Sequence, residues 1–268
     1  MNEITNQMQI KYSHTSIFAA SILIPLAAAL AGCAGTVATK DVMADGGQYL
    51  ATNFTPDKLA AGVRAKVETG DKLPDRFKTL RLSYRISTDE EGKKSEITSV
   101  TDLTNLGNGY VQSRSEYSKN GVPYRVNLGL SFGDVYRLKT QTLFLGRANA
   151  LHPVETKELT RLDRGLINPK PGAKYVIESK TGTSVQLANY LTENFLCSAT
   201  ASGPASAISA SLTGQTLDLD CDVVGTNNVV VSKMKFAWLS DYGVGIQKEV
   251  ADSRTRSVYS VTAVEVSR

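Results

Sequence analysis

Three sets of residues are of a type and spacing that could do chemistry. Ser131 stands between glycines in Gly129-Leu130-Ser131-Phe132-Gly133, with Asp134 and His152 following. Cysteines occupy positions 33, 197 and 221, and the acids Asp218, Asp220 and Asp222 alternate along one run. A serine between glycines serves nucleophilic catalysis when a strand turns sharply into a helix, with an acid and a histidine completing the relay. Here Ser131 falls on the polar side of an alternating run, and Val135 to Leu145 is again strand-like. The residues therefore read as a strand ending in a Gly-Asp turn. An esterase built on Ser131, Asp134 and His152 is the weaker alternative, and no catalytic residue is assigned.

Hard carboxylates at alternate positions suit an oxygen-seeking cation. A calcium loop would need Gly after the third acid and Glu at its twelfth position, where Val223 and Val229 stand. Same-face residues of a strand are about 6.8 Å apart, so the acids are expected on a solvated face, paired with Lys233 and Lys235 of the next strand. Of the two histidines, His14 lies in the leader and His152 precedes Pro153, which leaves no histidine-based metal site. No metal and no cofactor is expected. Lys180-Thr181-Gly182 reads as a hairpin turn between Tyr175-Val176-Ile177 and Val185-Gln186-Leu187.

Residues 17–32 form an uncharged run of mostly apolar residues after Lys11 and His14, shorter than the about 20 residues that span a bilayer and interrupted by Pro25. It reads as the apolar core of an export signal. The run ends in Leu30-Ala31-Gly32-Cys33, which resembles the lipobox of bacterial lipoproteins. Small Ala31 and Gly32 give a peptidase access to the backbone, and the Cys33 thiolate accepts a diacylglyceryl group. The resemblance implies cleavage before Cys33 and acylation there, hence a membrane anchor through lipid. With Ala rather than Asp at position 34, it further implies an outer-membrane address with the domain facing the periplasm.

With Cys33 committed to lipid, Cys197 and Cys221 remain as an even pair in an oxidising compartment, and a disulfide between them is expected. Closing that loop would stabilise by roughly 3 to 4 kcal/mol on the chain-entropy model. Formal net charge is only +4, from 30 basic and 26 acidic residues, and the cations are dispersed. Nucleic acid is therefore not an expected partner.

The elements that must position these residues follow from periodicity. Residues 1–32 are the signal, 33–55 a lipidated flexible tether rich in small and polar residues, and 56–268 a single β-rich domain. Thr55-Pro56-Asp57 opens a short helix over about 56–67, with Leu59, Val63 and Val67 at four-residue spacing. From Arg76 the period is two. Leu80, Leu82, Tyr84 and Ile86 alternate with polar residues, as do Tyr124 to Phe132, Leu217 to Val223 and Val230 to Trp238. Turn signals such as Asn120-Gly121 and Gly225-Thr226-Asn227-Asn228 separate the runs. The expected fold is mainly β, an antiparallel, strongly curved sheet or open barrel of about ten strands with one or two short helices. Leu159-Thr160-Arg161-Leu162 is a candidate second helix.

In broad plan, lipobox, tether, short helix and antiparallel sheet are similar to the periplasmic lipoprotein carriers that hold acyl chains in a half-barrel. That similarity implies a non-enzymatic binding role toward an apolar ligand or an envelope protein. The alternative is a structural or assembly-accessory lipoprotein without a small-molecule site.

Overall fold

The computed structural model describes residues Val37–Ser267. Cys33, the expected acylation site, and the Leu30 to Cys33 pattern lie outside the described residues. Twelve strands run in sequence order: β1 Thr79–Glu90, β2 Lys93–Gly107, β3 Tyr110–Lys119, β4 Val122–Phe132, β5 Tyr136–Phe144, β6 Val154–Leu162, β7 Lys174–Thr183, β8 Leu191–Pro204, β9 Gln215–Val224, β10 Val230–Leu239, β11 Val244–Ala251 and β12 Thr255–Ser267. Each pairs antiparallel with its chain neighbour, and β12 returns to β1, so the sheet closes into a barrel. The antiparallel, strongly curved sheet is as expected, and the expectation of about ten strands in such a sheet or an open barrel is corrected to twelve in a closed barrel. Closure leaves no free edge, which removes the pairing hazard that an open sheet carries.

Among the described residues, three short α-helices precede the barrel: α1 Thr39–Ala44, α2 Gly46–Asn53 and α3 Ala61–Glu68. The tether assigned to 33–55 is thus corrected over its described part. Val42, Leu50 and Phe54 are buried in the same cluster as Leu128 and Leu130 of β4, so these residues belong to the domain. The Asp45 side chain accepts from the Gln48 backbone N–H at 3.0 Å and starts α2. The helix expected over 56–67 is split, with a 3-10 turn at Pro56–Lys58 and α3 starting after it. Leu159 to Leu162, the candidate second helix, lies in β6, where Leu159 is buried and its flanking residues Glu158 and Thr160 are exposed. Lys180-Thr181-Gly182 lies within β7, and the connection to β8 begins only at Ser184.

On the outer face, α2 lies against β3 to β5 and α3 packs on β6. Gln112 of β3 donates through Nε2 to the carbonyls of Leu50 and Phe54, at 3.1 and 3.0 Å, adding to the Phe54 N–H bond that Leu50 already accepts and supplying a donor to the carbonyl that ends α2. Tyr49 donates to Gln141 of β5 at 2.9 Å. Periodicity in β4 is as read, yet its sides are exchanged. The apolar residues Val126, Leu128 and Leu130 face out under the helices, whereas Asn127, Gly129 and Ser131 line the lumen. In β1, β9 and β10 the apolar side faces the lumen, with Tyr84 and Phe236 lining it and Trp238 buried.

Elsewhere the outer wall is charged. Arg81–Asp102, Lys180–Glu158, Lys235–Asp220 and Lys248–Asp218 form ion pairs of 2.8 to 3.5 Å along it. A barrel that crosses a bilayer carries the reverse, an apolar outer band. Two seams are thin. β5 and β6 share only the pairs Lys139↔Glu155 and Thr140↔Val154, and β11 and β12 pair only from Glu249↔Val258 to Ala251↔Arg256.

A luminal two-chamber candidate site

The β4–β5 hairpin places the most unusual side chains. Val135 N–H donates to the Phe132 carbonyl, closing a turn in which Gly133 and Asp134 have φ of 64° and 55°. Asn, Asp and Gly are the residues that accept such a backbone. The turn folds into the barrel, where the Gly133 carbonyl accepts from Gly245 N–H of β11 at 2.8 Å. A Cβ on Gly133 would lie 2.7 Å from Ile167 and 3.0 Å from the Trp238 ring, and one on Gly129 would lie 2.6 Å from Ser113 Oγ. Both glycines of the Gly129 to Gly133 motif therefore serve close approach inside the lumen, and the strand-and-turn reading of that motif describes what the chain does.

Ser131 is buried, and its Oγ lies 3.1 Å from the Val111 carbonyl and 3.2 Å from Asp134 Oδ1. The structure brings Ser131 and Asp134 together but does not add His152. His152 follows Leu151, whose carbonyl accepts from Gln141 on the helix-covered side of the wall. A relay of serine, acid and histidine is not assembled.

Asp134 borders a chamber of about 140 Å³ lined by Ser99, Thr101, Ser113, Asn127, Arg137 and Gln247. Its carboxyl is raised from 3.8 to about 7, first because burial disfavours the charge, against the opposing effects of the Ser131 hydrogen bond and the Arg137 charge. Tyr84, also facing this chamber, is pushed well above the ordinary phenol value by burial and then by the Asp134 charge. Asn127 Oδ1 and Gln247 Nε2 are buried without a protein partner, leaving an acceptor and a donor for whatever occupies the space. The chamber suits water or a small polar group, and a carboxyl that keeps its proton to near neutral pH can donate a hydrogen bond there.

A second chamber of about 210 Å³ lies under the β5–β6 seam, lined by Tyr136, Leu138, Phe195, Val223 and Met234, with Thr156 and Glu193 as polar neighbours. Val135, Arg137 and Thr140 border both spaces. Arg137 is exposed, so a cation stands at the junction of the seam and the lumen. At the seam, Glu155 meets Lys157 at 2.8 Å and Lys139 at 3.7 Å. Burial lowers Lys139 below the usual lysine range, against the raising effect of Glu155. Each chamber alone is smaller than the about 300 Å³ at which drug-sized ligand pockets begin.

The other residues singled out in the sequence have structural positions. Cys197 and Cys221 are directly opposite in β8 and β9, 4.0 Å apart at Cα, buried, and joined as a disulfide. Asp222 and Asp220 stand opposite Lys233 and Lys235 as expected, and Asp218 is held by Lys248 at 2.9 Å. Sequence reasoning missed Asp134 as a luminal carboxyl and missed Arg137 and Gln247 altogether. The one available signal was the Gly133-Asp134 turn between two strands, which fixes a hairpin but not which way it folds.

No family model matches the chain, and no curated protein matches it. Among solved structures, it is similar to a DUF1329 family protein from Desulfovibrio piger, at 10% identity and a TM-score of 0.40, covering 83% of this chain and 92% of that one. It is also similar to a beta-barrel-like protein of domain of unknown function DUF1849 from Brucella abortus, at 9% identity and a TM-score of 0.42, covering 71% and 98%.

Proposed function

We propose that this chain is an outer-membrane-anchored lipoprotein whose barrel stands in the periplasm and performs a non-enzymatic binding task, admitting the apolar part of a ligand beneath the β5–β6 seam. The leader and the Leu30-Ala31-Gly32-Cys33 pattern support the anchor, and the Cys197–Cys221 disulfide suits an oxidising compartment. The observation that carries the binding reading is the second chamber. Its inner wall carries Tyr136, Leu138, Phe195, Val223 and Met234, the charged groups Arg137, Lys139, Glu155 and Glu193 border it, and it is covered by a seam of two residue pairs. Ladder bonds are what hold a strand pair shut, so a seam this short opens at less cost than its neighbours.

The test is native mass spectrometry with lipid extraction on the full chain purified from a bacterial envelope. A stoichiometric apolar ligand that Met234→Trp abolishes is the expected result, and an empty monomer would overturn the ligand. Palmitate labelling tests the anchor separately, since Cys33→Ser must lose the label. The second reading is an assembly-accessory lipoprotein without a small-molecule site, favoured by the small size of both chambers and by exposed apolar residues such as Leu187, at 90% exposure. A hydrolase acting through Ser131 has least support, because its hydroxyl already bonds Val111 and Asp134.

A further inference from the structure

Among the described residues, most of the exposed large apolar side chains gather at one end of the barrel, while Val100 and Leu196 lie along the wall and Leu106 at the other end, all three among the least exposed of them. Strand order gives it two ends: one carries the β3–β4, β5–β6, β7–β8 and β9–β10 connections, the other the β4–β5, β6–β7, β8–β9 and β10–β11 connections. Val122, Leu151, Leu187, Leu191 and Val229, exposed by 66, 44, 90, 63 and 58%, all belong to the first end. At the second end, the connections carry buried residues such as Leu166, Ile167, Leu212 and Tyr242. Single exposed apolar residues are ordinary, but a gathered rim of them marks a contact surface.

The rim is continuous along the wall. Ser184 N–H donates to the Pro153 carbonyl, which ties the β7–β8 loop to the start of β6, and Leu191 stands opposite Thr181. Gly225 N–H donates to the Val229 carbonyl, and β9 is registered on β8 through Asn194↔Val224. The described chain also begins here. Ala150 N–H donates to the Val37 carbonyl, and Ala38 bridges Asn149. Val37 is only four residues after Cys33, a reach of about 14 Å of extended chain. The cations Lys119 and Arg147 are exposed on the same arc, as attraction to anionic headgroups requires. The β1–β2 hairpin lies off this arc and is charged, with Glu91 paired to Arg254 at 3.7 Å.

We propose that this apolar rim is a membrane-docking surface, seated in the headgroup region of the bilayer that holds the Cys33 lipid. The proposal rests on the lipoprotein reading and adds an orientation to it. The rim end meets the membrane, while the opposite end, carrying the β4–β5 turn, points away. Short apolar side chains on loop tips with flanking cations fit an interfacial layer better than a bilayer core.

The test uses the full chain, exported and processed in a bacterial host, with hydrogen exchange measured before and after reconstitution into vesicles of phosphatidylethanolamine with a minority of phosphatidylglycerol. The expected result is an exchange at least about fivefold slower in 184–191 and 225–231, with no change in 205–214 at the far end. The double variant Leu187→Asp and Val229→Asp should stay palmitate-labelled and vesicle-bound yet lose that protection. A labelled, vesicle-bound protein whose rim exchanges freely would overturn the docking surface and leave the anchor intact. An unlabelled protein that does not bind vesicles would overturn the lipoprotein reading itself. A rim already protected before vesicles are added would assign it to a second copy or to the chain's own N-terminal segment, and overturn the proposal.

Discussion

Replacing Asp134 by Asn tests whether the luminal carboxyl is held neutral by the barrel. Asn keeps an oxygen that accepts from Ser131, tolerates the φ of 55° at this position and carries no charge at any pH. The Asp134 carboxyl moves from 3.8 to about 7 on folding, which corresponds to about 4 kcal/mol between the two protonation states. The sign follows from proton counting. Below about pH 4 the carboxyl is protonated both folded and unfolded and contributes nothing. Between about pH 4 and 7 the folded protein holds a proton that the unfolded chain has released, so stability falls as pH rises, and the full cost applies above about pH 7. Asp134→Asn should therefore match the wild type near about pH 4 and exceed it by up to about 4 kcal/mol at about pH 8. Urea unfolding of both proteins across this range, with the disulfide intact, reads the difference. Carboxyls held low by partners, such as Glu249 beside Arg256, shift both curves equally and cancel. A difference that does not change with pH would refute the assignment of a neutral luminal Asp134, as would a variant less stable than wild type at about pH 8.

Three further outcomes are expected. Cys197→Ser with Cys221→Ser should cost roughly 3 kcal/mol in urea unfolding, and an unchanged midpoint would show that the β8–β9 ladder alone fixes this region. Gln112→Ala should cost about 1 to 3 kcal/mol, because it removes the donor to the Phe54 carbonyl and leaves the Leu50 carbonyl with the Phe54 N–H alone, and hydrogen exchange should rise first in 46–54. Gly133→Ala should destabilise by more than the about 1 kcal/mol of a left-handed alanine alone, because its Cβ also meets Ile167 and Trp238. A near-neutral alanine would show that the turn can withdraw from the lumen.

Much of the fold was legible because strand periodicity and turn chemistry are local. The alternation of Leu217, Leu219 and Cys221 against Asp218, Asp220 and Asp222 fixes the faces of β9, and Asn120-Gly121, with φ of 52° and 78°, closes the β3–β4 hairpin. The cross-strand charges of β9 and β10 were legible for the same reason. Other features depend on partners remote in sequence. Residues 39–53 are short and rich in small residues, so nothing local distinguishes them from a tether. They are helical because Gln112, Leu128, Leu130 and Gln141 present a surface that only a folded barrel creates. Strand closure is of the same kind, since β1 and β12 are far apart in the chain.

The candidate site was the least legible part, and β4 shows why. Alternation reports that one side of a strand is apolar and the other polar, but a barrel clad in helices has two dry places to put the apolar side. For β4 the helices take Leu128 and Leu130, and the lumen receives Asn127, Gly129 and Ser131. A polar face that would be fully solvated on a simple sheet becomes the wall of a luminal chamber. Asp134 then changes from a surface turn residue into a half-buried luminal carboxyl whose charge is disfavoured. The same five residues that spell a nucleophile motif build instead a strand end, a close cross-strand approach and an inward turn. What decides between those meanings is the covering of the far side of β4 by residues some seventy positions earlier, a long-range fact that no spacing within the motif contains.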